Sequence, residues 1–555
     1  MTFSKFVLAG VAALALTACG KKESDSTAPT TQSSQQAAKA DAASPLDAEF
    51  RLKDAEPIDV ASLFALMPAD SRPTYESAAF DSGLGATVVS GLRFADNDDG
   101  ESVVIERAEF YGVDLEAIER VKNAVDPAPD APFETVLQKV RFLNVKTEGF
   151  DQEEASIAIG GIEIDGLAIR QGGVEGNGEG DEGARFFNAV NLAGLYFKDV
   201  SMDAESADAP LFALSAPDIR IVGVGGGKLD AVIANDLEYT VTQSPETLEA
   251  MNDVMGPQAA LLMSGPLKNI LAPDNQRTVL KSFEWRGVDM SGLLDWGLKG
   301  EAPPMEADNL IDLGDITARD VESFIAGRRV ATVEEVTMTD GDFTWLAPSS
   351  IRIDTKGAVY DLTAYVPETE EAALKALRDN GLDQVNGDGY MEWRWNDSSG
   401  VANLDYVATT EGLADFSMAL DLSGLKLKEI AKATEEGEAK PVAAFGKLNN
   451  FTLSLTDEKA LDAIFALAAL QMGGSPEDLR VSAPAMIRLS GAQFAQMNAR
   501  LPDYIDAVAD FVAKGGTLEI SANPKQPLAF SDLQGAGAAP QDLPDTINLT
   551  VTHKE

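Results

Sequence analysis

Few side chains in this sequence belong to the types that perform nucleophilic or metal chemistry. Among 555 residues there is one cysteine, Cys19, and one histidine, His553, close to the C-terminal end. Ser-His-Asp and Cys-His catalysis both need an imidazole beside the nucleophile, and zinc sites draw on His and Cys, so these chemistries are excluded. Carboxylates are what the chain has in quantity, with 90 Asp plus Glu against 44 Lys plus Arg. Two acids flanking a glycosidic bond can hydrolyse it, but their separation in space decides the matter, not their order in the sequence. A carboxylate-dependent hydrolase therefore stays among the readings. Residues 96–100 (DNDDG) and the acidic loop at 177–183 present oxygen ligands of the sort Ca²⁺ takes, without EF-hand spacing. They read as solvated loops. No metal or cofactor is expected, and if a hard cation binds, Asp96, Asp98 and Asp99 are the ligands on offer.

Other local patterns lose their meaning in context. Residues 178–183 (GEGDEG) match G-x-G-x-x-G, but no strand is expected to lead into them and no helix to follow. Their carboxylates would also repel a pyrophosphate. Residues 223–229 (GVGGGKL) lack the Ser or Thr of a phosphate loop and read as a hairpin turn. Ser423 and Lys426 have S-x-x-K spacing with no K-T-G anywhere after them. In the run GYMEWRWN, Met391, Trp393 and Trp395 alternate, so a strand places all three on one face. Such a row fills a core or forms a flat apolar platform, which makes these three the apolar-ligand candidates.

The segment that organises the rest is N-terminal. Lys5 precedes an apolar run of 11 residues at 6–16, too short to span a bilayer, and Leu16-Thr17-Ala18-Cys19 follows. The run, the small residues and the unique cysteine resemble a bacterial lipoprotein signal with its lipobox. That resemblance implies cleavage before Cys19, acylation of its thiol, and anchoring in the cell envelope. Gly20, where an inner-membrane retention signal would place Asp, implies the outer membrane, on the periplasmic face. Two or more acyl chains make such an anchor stable. Residues 19–44 are rich in Ser, Thr, Gln and Ala and read as a flexible tether.

From residue 45 short alternating runs dominate. Residues 162–170 (IEIDGLAIR) read as a hairpin turning at Asp165-Gly166, and strands are expected at 218–224, 237–242, 350–354, 359–366, 416–422, 451–455, 517–521 and 547–552. Helical patterns lie at 59–67, 246–255, 367–380, 457–472 and 502–514, several closed by glycine. A repeat links 104–118 (VIERAEFYGVDLEAI) to 279–293 (VLKSFEWRGVDMSGL). Each reads as strand, Gly-Val-Asp turn and short helix, with Asp114 and Asp289 as helix caps and Leu115, Ile118, Met290 and Leu293 facing the sheet. Residues 419–430 (ALDLSGLKLKEI) form a third copy around Gly424. Residues 367–425 resemble strand-meander modules of uncharacterised proteobacterial envelope proteins, a resemblance that implies no activity.

The expected fold is α+β, built of β-rich tandem modules of antiparallel sheet with short helices on one face. Its divisions are a signal peptide at 1–18, an acylated tether at 19–44, β-rich modules at 45–270 and 271–430, and a C-terminal α+β module at 431–555. A formal charge of −46 opposes nucleic acid and anionic head groups. The expected function is non-enzymatic: a lipid-anchored envelope scaffold or a carrier of an apolar ligand. The alternatives are an envelope module binding a basic or cation-bridged protein partner, and the carboxylate hydrolase.

Overall fold

The computed structural model describes residues 45–67, 72–95, 102–124, 130–148, 156–173, 180, 182–204, 211–242, 275–305, 307–435, 445–472, 474–492, 497–536 and 542–555. The signal segment, Cys19, the tether, the Asp96, Asp98 and Asp99 loop and the helix expected at 246–255 lie outside them. The chain is strand-rich antiparallel sheet with several helices, divided into two compact units, Met1–Met251 with Arg277–Ala318, and Asn252–Gln276 with Arg319–Glu555. Among the described residues no helix is long and apolar enough to cross a membrane.

The first unit holds β1 (Ser77–Asp81), β2 (Ala86–Ala95), β3 (Ser102–Val113), β4 (Phe133–Glu148), β5 (Ser156–Arg170), β6 (Val190–Ala204), β7 (Leu211–Gly225) and β8 (Lys228–Thr242), each paired antiparallel to the next. β9 (Asn275–Asp289) follows, then β10 (Asp315–Ile325). Residues 223–229 form a hairpin, as expected: β7 meets β8 through Gly226-Gly227, at φ 58° and 78°, the backbone of a tight two-residue turn.

Residues 162–170 do not form a hairpin. They lie inside β5, one strand of 15 residues. Its buried apolar residues are Ile157, Ile159, Ile162, Ile164, Leu167 and Ile169, so the two-residue period slips twice. A slip of one position would turn the next side chains to the other face. The second is absorbed at Gly166, with φ 62°, as an unpaired residue between the pairs Lys139↔Asp165 and Leu137↔Leu167. Asp-Gly here supplies a positive-φ kink within the strand, opposite Gln138 and without a change of register, rather than a turn. The kink keeps the isoleucines on one core with Val140, Phe142, Phe110 and the helical residues Leu63, Phe64, Ile118 and Val121.

Those helical residues lie on α1 (Val60–Ala65) and α2 (Leu115–Lys122). Asp59 caps α1, accepting from the N–H groups of Ala61 and Ser62 at 3.1 and 3.3 Å, and Asp114 caps α2 from Ala117 N–H at 2.8 Å. α3 (Glu182–Ala189) corrects the expectation that no helix follows residues 178–183. Before α4 (Ser291–Gly297), Asp289 accepts from Ser291 N–H at 2.9 Å, and Lys228, then the Ser291 hydroxyl and N–H, hold its carboxyl near 2. Gly112 and Gly287, at φ 58° and 76°, each turn a strand end into its helix. Met290 departs from the pattern and is 39% exposed, because α4 begins one residue later after Asp289 than α2 does after Asp114.

The second unit continues with β11 (Arg328–Thr344), β12 (Ala347–Tyr360), β13 (Val385–Asn396), β14 (Val401–Glu411), β15 (Ala414–Ser423), β16 (Lys447–Asp457), β17 (Gly516–Ala522), β18 (Leu528–Ala529) and β19 (Leu549–Lys554). Antiparallel pairs join β11 through β17 in order, and β19 pairs with β17. Residues 359–366 are not all strand: β12 ends at Tyr360, and Leu362–Tyr365 is a 3-10 turn started by Asp361, which accepts from Thr363 N–H at 2.9 Å. The helices are α5 (Glu371–Asp379), α6 (Leu427–Glu435), α7 (Ala460–Met472), α8 (Pro476–Gly491) and α9 (Leu501–Lys514). α6 follows the third positive-φ glycine, Gly424 at 79°, and its Leu427 N–H is capped by Asp397 at 2.6 Å.

The kink makes a direct prediction. A Cβ on Gly166 would lie 2.8 Å from the Ala193 Cβ at a backbone angle L-residues avoid. Gly166→Val should therefore destabilise the protein by about 2–4 kcal/mol. Gly226→Asn, at a turn with open space around it, should leave the urea midpoint unchanged or raise it. Equal midpoints for both variants would show that the Gly166 backbone angle is not required.

Candidate functional site

β12 to β16 alternate apolar and polar along their length, and direct register turns that alternation into two unlike faces. On one face Met338, Ile353, Met391, Tyr406, Met418 and Leu453 stand opposite one another on successive strands, and Ile520 and Val551 continue the row. Eight strands at about 4.8 Å spacing make this ladder about 34 Å long. The neighbouring row on the other face reads Thr337, Asp354, Tyr390, Val407, Ser417 and Ser454. The polar face is laced by ion pairs such as Arg352–Asp354 at 2.6 Å and Arg394–Glu392 at 2.5 Å.

The apolar face is covered in places. Val385 packs with Leu377, Leu382 and Ala463, Leu455 and Leu518 pack with Phe465 and Phe511, and Leu422 packs with Leu425 and Leu427. Between these clusters the ladder residues from Met338 to Leu453 stay part-exposed, Tyr406 at 37%. There a shallow trough of about 140 Å³ opens, walled by Ile353, Ala358, Met391, Tyr406 and Ala408 over a floor of Gly387 and Gly389. The floor is glycine for a local reason: a Cβ on Gly389 would sit 2.6 Å from the Val407 carbonyl oxygen, and one on Gly387 would sit 2.8 Å from that of Thr409. No lysine or arginine lines the trough. The one carboxylate at its border, Asp388, accepts from Gly357 N–H at 2.7 Å.

Met391, Trp393 and Trp395 do share a face of β13, and the structure then divides them. Met391 walls the trough. Trp395 is 8% exposed and packed with Ala402, Leu425 and Leu427, its indole N–H donating to the Leu425 carbonyl at 2.7 Å. Trp393 packs against that cluster and donates to the Pro348 carbonyl at 3.0 Å. Ile353, Tyr406, Ala408, Met418 and the two glycines were not singled out by sequence. Their signal is the alternation in 401–411 and 414–423, which becomes a site only once register is known. Cys19, Asp96, Asp98 and Asp99 fall outside the described residues.

A second cluster lies on the first unit, on the face of β3 to β7 opposite the isoleucine core. Register aligns Glu109, Arg141, Glu163, Tyr196 and Arg220 on successive strands, a row that alternates in charge from Glu109 to Glu163. Glu163 is fully buried, bonded to Lys139 and, at 2.6 Å, to Arg141. Tyr111 donates to Glu109 at 2.7 Å. Residues 45–50 cross this face: Arg141 donates to the Pro45 carbonyl at 3.1 Å, Asp47 pairs with Lys198, and Phe50 meets Tyr111 edge-on at 5.0 Å. Burial raises the Asp165 carboxyl and the Tyr111 hydroxyl, and with the nearby Asp165 and Glu163 charges it pushes Tyr196 up to about 12. Each carboxylate in this row is tied to a cation or a phenol, which is the pattern of a buried structural network.

Comparison with known families matches residues 408–554 to a family model described only as an uncharacterized protein. No curated protein matches the chain.

The buried phenols set an alkaline limit. Tyr196 ionises near 10 in an unfolded chain and near 12 in the fold, so its contribution is fully present below about pH 10 and is lost as pH climbs through 12. Tyr111 acts in the same direction. The urea midpoint should fall between about pH 8 and about pH 11, and Tyr196→Phe should flatten that fall. A midpoint that drops equally in wild type and variant would contradict the assignment.

Proposed function

We propose that this is a lipid-anchored envelope protein, held by acyl chains on Cys19 at the outer membrane and facing the periplasm, and that it carries or shelters an apolar ligand. It acts without catalysis. One observation carries the proposal: the unbroken apolar ladder and its open, cation-free trough on the second unit. A sheet face of this kind left partly uncovered in water calls for an occupant. Three ladder residues are methionine, the side chain that adapts best to an irregular ligand surface. We read the two units as related modules whose short helices lie on one face of each sheet. The positive-φ glycines Gly112 in the first unit and Gly424 in the second, each shortly before a short helix, support that reading.

The affinity is expected to be low. A trough holding roughly five methylenes gains roughly 4 kcal/mol at about 0.8 kcal/mol per CH₂. The lost freedom of the ligand offsets much of this. A formal charge of −46 opposes anionic head groups, so the contact runs through the acyl chain. The same charge supports a second reading, in which the surface engages a basic or cation-bridged partner.

The test is the intact protein titrated with a fluorescent alkyl probe, with native mass spectrometry of what co-purifies. Ala408→Trp, which fills the trough, and Met391→Lys, which places a charge in it, should each weaken the probe by about tenfold, or 1.4 kcal/mol. Cys19→Ser should leave probe binding intact while releasing the protein from membranes. No saturable binding, or binding indifferent to both trough variants, would defeat the carrier reading and leave a scaffold.

A further inference from the structure

The trough has one polar feature that an acyl chain alone does not use. Tyr360 and Tyr406 both line it, on β12 and β14, either side of the glycine floor on β13. The Tyr406 ring packs edge-on against Phe416 with centroids 5.7 Å apart, on the Ala408 side. Tyr360 stands opposite Val385 and packs into the cluster of Leu377, Leu382 and Ala463, which holds its ring in place. Among the described residues neither phenol hydroxyl has a hydrogen-bond partner, so both are available to a ligand. Thr355 and Thr410 line the same part of the trough.

We infer that the trough selects a single-chain lipid with an uncharged, hydroxyl-bearing head group, of the monoacylglycerol kind, whose head lies between Tyr360 and Tyr406 and whose tail follows the ladder toward Met418. This rests on the reading of the trough as an acyl site and narrows it to one ligand class. The chemistry of the lining decides the head group. No lysine or arginine lines it to pair with a phosphate or carboxylate, and the one charged residue of the lining, Asp388, is itself an anion. An anionic head would be desolvated there without a counter-charge, which is strongly unfavourable. A hydroxylated neutral head accepts from the phenols and donates back to them, and an analogue without hydroxyls leaves those bonds unmade. Burial, then the neighbouring Tyr406, raises the Tyr360 hydroxyl, which keeps it a protonated donor at neutral pH.

The experiment uses the intact protein on phosphatidylcholine vesicles with four photoactivatable probes sharing one oleoyl tail. They are the monoacylglycerol, the free fatty acid, the lysophosphatidylglycerol and a headless hydrocarbon. Labelling is read by mass spectrometry at the peptides spanning residues 385–411. The monoacylglycerol should label about tenfold better than either anionic probe. The paired variant Tyr360→Phe with Tyr406→Phe should erase that preference, bringing the monoacylglycerol down to the level of the headless probe, which should itself be unchanged. The unchanged headless signal also shows that the variant is folded. Equal labelling by the anionic probes, or a preference that survives loss of both hydroxyls, would overturn the inference and leave the acyl site standing. Failure of the headless probe to label these peptides at all would overturn both.

Discussion

Strands of 10 to 17 residues, which make up most of the sheet, impose one constraint above others. Every side chain on such a strand is assigned to a face by register, and an error of one position reverses every assignment after it. The structure meets this constraint with positive-φ residues inside its strands: Gly166 in β5, Asn144 in β4, Gly112 in β3 and Asp340 in β11. Asn144 and Gly166 stand where the buried apolar residues change phase, between Phe142 and Val145 and between Ile164 and Leu167. The isoleucine core of the first unit and the methionine-rich ladder of the second are two products of the same rule.

The faces are then finished differently. In the first unit the apolar face is closed by α1 and α2, with Ile118 and Leu63 nearly fully buried. The opposite face is polar but buried all the same, with residues 45–50 lying over a network in which charges neutralise one another. In the second unit the polar face meets water through surface ion pairs of the kind that contribute little each. Its apolar face is covered only in patches. With 90 acids against 44 basic residues, like charge elsewhere on the chain opposes self-association through such a face.

Much of this was legible from the sequence, and what was not has a common cause. Helices near 59–67, 457–472 and 502–514 announced themselves through apolar spacing, Asp caps and terminal glycine, and Gly226-Gly227 read correctly as a turn. Asp165-Gly166 was misleading because the same dipeptide serves a tight turn and a positive-φ kink within a strand, and only the pairing of β5 with β4 and β6 distinguishes them. α3 was hidden by its acidic, glycine-rich lead-in. The strand expected to run to residue 366 stops at Tyr360 because Asp361 caps a 3-10 turn. Of the candidate site, Met391 was visible as one of three alternating apolar residues on β13. The trough itself was not, since its walls come from β12 and β14 and its depth from two glycines whose backbones approach carbonyl oxygens. Nothing in the local sequence sets Trp395, in the core, apart from Met391, at the trough.

The central claim is that the apolar face of the second unit is open in the free protein and is covered by an apolar ligand. Methionine oxidation reads this directly, since sulfoxide formation follows exposure of the thioether. Brief hydroxyl-radical exposure of the intact protein, followed by peptide mass spectrometry, compares Met338, Met391 and Met418 with and without a saturating monoacyl lipid. Open-face methionines should oxidise readily in the free protein and be protected together by the lipid, while the core methionine Met67, at 5% exposure, should stay inert in both. Unreactive Met391 and Met418 in the free protein, or oxidation unaffected by lipid, would contradict the account.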